Sequence, residues 1–193
     1  MKQQKWNVTP YVGVGPLKLG MSFGDVAKFN GLIGEPVVHE GDLHALFSRS
    51  PPDALTEQGF DFSKMEEPIT EVRATVLCDY FGGKLSAITL RADGEVAVSL
   101  IEIDFFNTDT LQLLQVLERK NQGAQVGPSG VFFDKLSVML DNYYWPNLHS
   151  FFKYGSEEQD DRSVGIYSQD AFARLLAIPI IRFNPVTFLA ETK

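Results

Sequence analysis

A glycine-rich turn near the start of the chain is the first feature whose residue types could do chemistry. Residues 12–36 read VGVGPLKLGMSFGDVAKFNGLIGEP, and Gly13 and Gly15 have the spacing that begins a dinucleotide-binding loop. That loop needs G-x-G-x-x-G, because its third glycine lets the helix pack closely on the strand. Here Lys18 occupies the third position, and no P-loop motif occurs elsewhere. The turn is therefore predicted to lead into a short strand, not to bind a phosphate.

The remaining reactive residue types lack the spacing of a catalytic or metal site. His39 and His44 stand five apart in HEGDLH, whereas H-E-x-x-H is the spacing that puts two histidines on one helical face, and His149 is remote in sequence. Cys78 lies inside the apolar run ATVLCDYF, which predicts a buried thiol with no adjacent base. No G-x-S-x-G motif occurs. We therefore predict no catalytic residues, no metal and no cofactor.

Two neighbouring segments carry the candidate binding residues. The run GSEEQDDRS places four carboxylates close together, and their mutual repulsion favours a projecting loop. Just before it, NYYWPNLHSFF holds more aromatic area than one strand face needs, which is typical of interface hot spots. The predicted partner-binding residues are Tyr143, Tyr144, Trp145, Glu157, Glu158, Asp160 and Asp161. The alternatives are a solvated acidic turn without a partner and aromatic side chains that belong to the core.

Composition and charge restrict the class of protein. The chain has 193 residues with 44% hydrophobic and 22% charged residues, which is ordinary for a globular domain. Its net charge of -8 argues against nucleic-acid binding, since phosphate contacts need clustered Lys and Arg, and leaves room for a basic protein partner. The single cysteine and the lack of a signal-peptide or membrane-spanning pattern predict a cytoplasmic protein with no membrane attachment.

Two helices are predicted to position these segments. Ser22 and Asp25 have the spacing of a capping box at the start of a helix over about residues 23–32, which Gly34 ends. A second helix begins after Thr108 or Asp109 and ends before Gly123. The apolar positions of this second helix are Leu111, Leu114 and Leu117.

The strand predictions centre on two glycine turns. EVRATVLCDYF and KLSAITLRA flank Gly82-Gly83 as a hairpin, and Asp93-Gly94 leads into EVAVSLIEIDFF, which predicts a meander of three antiparallel strands. Residues 37–70 are interpreted as a long irregular connection.

Later strands and the tail complete the sequence interpretation. GVFFDKLSVMLDNYYW indicates strand structure, and LHSFFKYG is predicted to pair with SVGIYSQDAF across the acidic turn. The tail, with Pro179 and Pro185, suits an edge strand or a packing arm. The predicted fold class is α+β, with antiparallel sheet and two main helices. Two organisations stay open: one compact domain over 1–193, or two packed halves, 1–106 and 107–193, built from a duplicated helix-plus-hairpin unit.

The glycine-rich start also resembles a known kind of protein. Its pattern G-x-G-P-L-x-L-G-M-S, continued by the capped helix and LIGEP, is similar to the start of small bacterial α+β proteins regarded as toxin-immunity proteins. LCDYFGGKLSAITL resembles their hairpin, and GVFFDKLSVMLDNYYW their late strand pair. A related element opens the BamE/SmpA-type outer-membrane assembly lipoproteins. Asn30-Gly31 and residues 40–70 depart from the pattern, as a break in the helix and an insertion.

The resemblance implies a stoichiometric inhibitor and no catalytic residues. The sequence therefore leads us to expect a cytoplasmic immunity protein that occludes the active site of a cognate toxin, whose basic cleft would suit the acidic and aromatic segments. Two other functions stay open: a scaffold or adaptor module of the same fold, and an enzyme of unknown type.

Overall fold

The computed structural model describes residues 4–40, 68–92, 96–127, 130–153, 160–176 and 182–189. These residues form a strand-rich α+β fold with mostly antiparallel sheet. The strands are β1 Gln4–Thr9, β2 Gly13–Val14, β3 Leu17–Lys18, β4 Val37–Glu40, β5 Ile69–Val72, β6 Val76–Phe81, β7 Lys84–Arg91, β8 Val96–Leu100, β9 Ile103–Asp104, β10 Ala124–Val126, β11 Gly130–Phe133, β12 Val138–Asp141, β13 Tyr144–Trp145, β14 Ser150–Phe151, β15 Ser163–Tyr167 and β16 Asn184–Val186. The α-helices are α1 Phe23–Ala27, α2 Asn30–Ile33, α3 Thr110–Asn121 and α4 Gln169–Leu176, and 3-10 turns cover Asp134–Leu136 and Pro146–Leu148.

The main sheet has nine strands in the order β16-β10-β11-β12-β15-β7-β6-β5-β4. A second sheet has the order β3-β2-β1-β8-β9, and β13 pairs with β14 alone. The hydrophobic core lies between the sheets and takes side chains from both, with Trp6, Ile88 and Phe133 among those almost fully buried. The main sheet takes strands from both sides of residue 106, and the division into two halves stays a prediction.

The glycine-rich start forms a tight β2–β3 hairpin, as the sequence predicts. Gly15 has φ of 54°, and a Cβ there would lie 2.6 Å from Cγ of Trp6, so the buried indole packs directly on the glycine backbone. Leu17–Lys18 is the short strand that this turn leads into. The turn therefore serves the packing of the second sheet.

The first predicted helix is correct in its start and wrong in its continuity. Ser22 accepts from the Asp25 amide, and the Asp25 carboxylate accepts from the Ser22 amide, which confirms the capping box. The helix ends at Ala27, and α2 follows after a short break. Asn30, at the start of α2, accepts a hydrogen bond of 2.7 Å from Nη1 of Arg73, so a tertiary contact fixes the direction of α2.

Strand partners are where the sequence interpretation is most often wrong. The hairpin around Gly82-Gly83 is confirmed, with both glycines at positive φ. However, β8 does not join β7; it pairs in parallel with β1 in the second sheet. The predicted three-stranded meander is therefore two strands of one sheet followed by a strand of another.

Two more strand predictions need correction. β15 lies between β12 and β7, so SVGIY does not pair with LHSFF, which instead supplies β14 to the hairpin with β13. Residues 37–70, interpreted as irregular, begin with β4 and end with β5, and these two strands pair with each other. Residues 41–67 between them lie outside the described residues.

The helices of the second half show one confirmation and one omission. Asp109 caps α3, since its carboxylate accepts from the Gln112 amide at 3.0 Å. Leu113, not Leu111, provides core contact on this helix, and Leu111 is 39% exposed. The sequence interpretation missed α4, whose Phe172 stacks on Phe132 of β11 at 3.9 Å between ring centroids. At the end of the chain, β16 with Pro185 is the predicted edge strand.

Candidate functional site

A groove opens where the start of α3 faces the segment after the second 3-10 turn. Asp109, Thr110 and Leu111 form one wall, and residues 149–153 form the other, around an open volume of about 560 Å³. We call it the α3 groove. Leu111 is 39% exposed in its wall, and Leu148, which directly precedes the second wall, is 74% exposed. Two large apolar side chains therefore lie open to solvent at or beside this groove.

Local hydrogen bonds hold the two walls in place. The Thr110 hydroxyl, in the first turn of α3, donates to the carbonyl of Phe152 at 3.1 Å and joins one wall to the other. The amide of His149 donates to the carbonyl of Pro146 at 3.3 Å, which closes the 3-10 turn. His149 has φ of 45°, and this left-handed residue turns the chain back into β14. Leu148 is thus presented at the tip of a hydrogen-bonded turn.

Three aromatic side chains pack against one another beside the second 3-10 turn. The ring centroids of Tyr144 and Phe151 lie 5.1 Å apart, and Phe188 from the C-terminal segment meets Tyr144 edge-on at 5.3 Å. The Tyr144 hydroxyl lies 3.4 Å from Nδ1 of His149. Edge-on packing of this kind is favourable beyond the area it buries. These aromatic side chains form the packed floor of the candidate site.

The structure separates the three predicted aromatic residues. Tyr143 is fully buried, and its hydroxyl donates to the carbonyl of Phe105 at 3.0 Å. Burial raises the pKa of Tyr143 well above its ordinary value, although the nearby Arg162 acts in the opposite direction. Tyr144 is 9% exposed, whereas Trp145 is partly exposed. The assignment of Tyr143 to a partner contact is corrected, because none of its surface is available in this fold.

Asp160 forms an ion pair with the buried Arg162. Its Oδ2 accepts from Nη2 of Arg162 at 2.7 Å, and its Oδ1 accepts from Nε of the same arginine at 2.9 Å. Arg162 is fully buried, with its guanidinium carbon 4.1 Å from the centroid of Phe152 and 5.1 Å from that of Tyr143. Nη2 also donates to the carbonyl of Phe106 at 2.8 Å. The charge of Asp160 is therefore largely neutralised by a side chain that is itself part of the core.

The other acidic residues differ from Asp160. Asp161 is exposed, and its backbone carbonyl accepts a hydrogen bond of 3.2 Å from Nδ2 of Asn142. Glu157 and Glu158 lie outside the described residues. The structure thus brings the aromatic segment and the end of the acidic run together through the contact of Arg162 with Phe152.

The sequence interpretation did not predict the exposure or burial of three residues in this region. Leu111 was assigned to the core by helical spacing, Leu148 was counted only as part of a strand, and Arg162 was counted only as the end of a charged run. A signal for Leu148 was present, since Pro146 favours a turn whose next residues are exposed. For Arg162 the signal was a lone basic residue directly after four carboxylates.

The lining of the groove includes the polar residues Asp109, His149 and Lys153 beside the apolar Leu111. Among the described residues, no group of three or more His, Cys, Asp or Glu side chains could hold a metal ion. Cys78 is far from solvent in β6, and burial raises the pKa of its thiol to about 12. None of the helices in the described ranges has the length and apolar character to cross a membrane.

Comparison with known proteins adds no family to this description. Neither the family models, the curated proteins nor the solved structures gave a match to this chain.

Proposed function

We propose that this protein is a non-catalytic inhibitor of the immunity type, which binds a cognate bacterial toxin and occludes its active site. The observation that carries the proposal is Leu148, 74% exposed at the tip of a turn on a packed aromatic floor beside the α3 groove. Exposed apolar groups on a rigid support are suited to be anchors in a protein interface. The resemblance of the glycine-rich start to immunity proteins supports the same function.

Charge supports a basic partner. The wall of the groove that ends at Lys153 continues in sequence into the run with Glu157, Glu158 and Asp161, and the whole chain carries a net charge of -8. Acidic groups around an apolar anchor accelerate encounter with a basic surface and set its orientation. In this proposal, the direct contacts come from Leu148, Trp145 and these three acids, while Tyr143, Tyr144 and Asp160 hold the surface in shape.

In this proposal the protein acts in the cytoplasm, without cofactor, nucleic acid or membrane, against a toxin with a basic substrate cleft. Its fold is two packed α+β halves, each with one main helix. The order of the main sheet supports that division, since β4–β7 lie side by side at one end and the strands after residue 106 lie side by side at the other.

Co-expression with a toxin encoded by a neighbouring gene tests the function. The wild type should restore growth and bind the toxin in a calorimeter. Leu148→Asp should weaken binding by about 2 kcal/mol or more, the cost typical of a hot-spot residue. Val12→Asp is the matched control, because Val12 is 44% exposed in the β1–β2 turn, outside the proposed surface. The control should bind as the wild type does.

The acidic contribution needs a separate variant. A triple change of Glu157, Glu158 and Asp161 to Ser, with Asp160 retained to keep its pair with Arg162, should reduce the association rate at low salt. Added salt should remove the difference between the triple variant and the wild type, because exposed charges are screened over about 8 Å at physiological ionic strength. Full growth rescue and unchanged affinity in both the Leu148 variant and the triple variant would refute the proposed surface.

A further inference from the structure

The two edges of the nine-stranded sheet differ in how they are protected. At one edge, β16 carries Pro185, which lacks the backbone donor that another strand would use. At the other edge, β4 exposes 61% of Val37 and 54% of Val38, and no described strand pairs with its outer side. Natural proteins usually place charge or proline on such an edge. The β4 edge has Pro36 before it and Glu40 at its end, but between them it presents the exposed β-branched side chains of Val37 and Val38.

The alternation of hydrogen-bonded and non-hydrogen-bonded pairs in the sheet shows which backbone groups of β4 face outward. The amide of Arg73 donates to the carbonyl of Val76 at 2.9 Å, so these residues form the hydrogen-bonded pair that closes the β5–β6 hairpin. Pairs alternate along an antiparallel ladder, so the peptide groups of Thr70 and Val72 face β4. Their partners in register are His39 and Val37.

It follows that the backbone groups of Val38 point away from the sheet. Val38 lies opposite Glu71, in the non-hydrogen-bonded position between those two pairs. The backbone groups of Glu40 and Pro36, two residues away on either side, also point outward. Pro36 offers only its carbonyl. In chain order, the outer side of β4 therefore presents a lone acceptor at Pro36 and then a donor and an acceptor at both Val38 and Glu40.

We propose that a second copy of this chain pairs antiparallel with the β4 edge, with a two-fold axis at Val38. Val38 then donates to and accepts from the Val38 of the other copy. The amide of each Glu40 donates to the carbonyl of the other copy's Pro36, which has no amide to donate in return. An isologous interface of this kind uses one patch twice, which is the commonest arrangement in homodimers.

The side chains in this register are compatible with a self-pair. Val38 faces Val38, a β-branched pair that strands favour, and Val37 faces His39. No acidic residue of β4 faces another acidic residue. Such an edge is short, so it buries less than the roughly 1,200 Å² of a stable interface, and the dimer must depend on concentration.

Sedimentation velocity over a concentration series, with amide hydrogen exchange, tests the proposal. The wild type should shift from a mass near 21.5 kDa towards twice that value as concentration rises. The Val38 amide should exchange at least tenfold more slowly at high concentration than at low. Val38→Lys, which places two ammonium groups opposite each other, should abolish both effects. Val38→Pro removes only the outward donor and should weaken the dimer without disturbing β5.

Val12→Lys is the matched control, because it adds the same charge at an exposed apolar residue of the β1–β2 turn in the second sheet, outside the β4 edge. The control should dimerise as the wild type does. A monomer at every concentration overturns the proposal, and so does a dimer that persists in both Val38 variants. Protection of the Val38 amide that does not change with concentration also overturns it, because another part of the same chain would then cover β4.

Discussion

Arg162 and Asp160 form an ion pair of 2.7 Å in which the arginine side chain is completely buried and the aspartate side chain is 32% exposed. The arginine lies between the rings of Phe152 and Tyr143, so the pair joins the acidic run to the aromatic segment. The arginine depends on this ion pair more than the aspartate does, because the arginine side chain is completely buried and the aspartate keeps part of its contact with water. Asp160 is therefore a structural residue within a run of surface charges.

The Asp160–Arg162 pair predicts unequal effects of neighbouring acidic residues. Asp160→Asn removes one carboxylate partner of the buried guanidinium and should lower the free energy of unfolding by about 2–3 kcal/mol, less than the ~3–5 kcal/mol of a fully buried pair. Asp161→Asn is the control and should stay within about 0.5 kcal/mol of the wild type, as exposed sites do. Urea unfolding of the three proteins measures both values, and equal losses in the two variants would contradict the assignment.

The pH dependence of this pair has a definite sign. Burial alone would raise the pKa of Asp160, but the hydrogen bonds and charge of Arg162 outweigh it, so the pKa is lowered from its ordinary value of 3.8. A carboxyl with a lowered pKa in the folded state stabilises the fold above its unfolded pKa and loses that effect as pH falls through the folded value. The difference between wild type and Asp160→Asn should therefore be constant at neutral pH and shrink below the ordinary value.

A second ion pair, between Glu71 and Arg73, should be far more important for stability than a surface pair. Arg73 donates from Nη2 to Glu71 at 2.8 Å, with both side chains almost fully buried, and Tyr80 donates to the same carboxylate oxygen at 2.8 Å. Glu71→Ala should cost about 3–5 kcal/mol. Lys28→Ala, which removes the exposed partner of Asp25, should cost at most about 0.5 kcal/mol. A comparable loss in both variants would be the contrary result.

The C-terminal segment should depend on one buried carboxylate. Glu118 of α3 accepts from the amides of Phe188 and Leu189 at 2.7 and 3.2 Å and from the hydroxyl of Thr187 at 2.7 Å. Hydrogen bonds to charged groups contribute about 1.5–3 kcal/mol each, so Glu118→Ala should free this segment and expose the aromatic floor of the α3 groove. Limited proteolysis should then cleave near residues 184–189 first, and an unchanged cleavage pattern would exclude this role.

Asp79 on the main sheet should behave in the opposite way to Asp160. Burial raises its pKa, although the hydroxyl of Thr70 donates to it at 2.6 Å and acts against the shift. A carboxyl with a raised pKa in the folded state costs stability when it ionises, and the cost disappears as pH falls through that pKa. Asp79→Asn should therefore stabilise the protein at neutral pH, and the gain should vanish near and below pH 3.8. Denaturant midpoints at several pH values measure this, and a less stable variant at neutral pH would show that the Thr70 hydrogen bond outweighs desolvation.

Features set by neighbours in the chain were accessible from the sequence. The capping box of Ser22 and Asp25, the Gly82-Gly83 hairpin and the Asp109 cap each depend on contacts across a few residues, and the structure confirms all three. The burial of Cys78 and the edge position of Pro185 followed from the same local logic, since an apolar strand interior hides a thiol and a proline cannot donate to a second strand. The sequence indicated a break in this helix at Asn30-Gly31, whereas the structure breaks it after Ala27, and a contact from Arg73 to Asn30 helps to fix α2.

The choice of strand partners and of exposed residues was decided by the tertiary structure. The apolar residues of β8 suit a buried strand whether it pairs antiparallel with β7 or parallel with β1, and the packing of two sheets around one core selects β1. The same packing buries Tyr143 and Arg162 and leaves Leu148 in solvent. The sequence by itself thus determined the local elements and the part of the chain that carries the candidate surface. Only the fold decided which side chains of that part face outward, since burial depends on what packs over a residue from far along the chain.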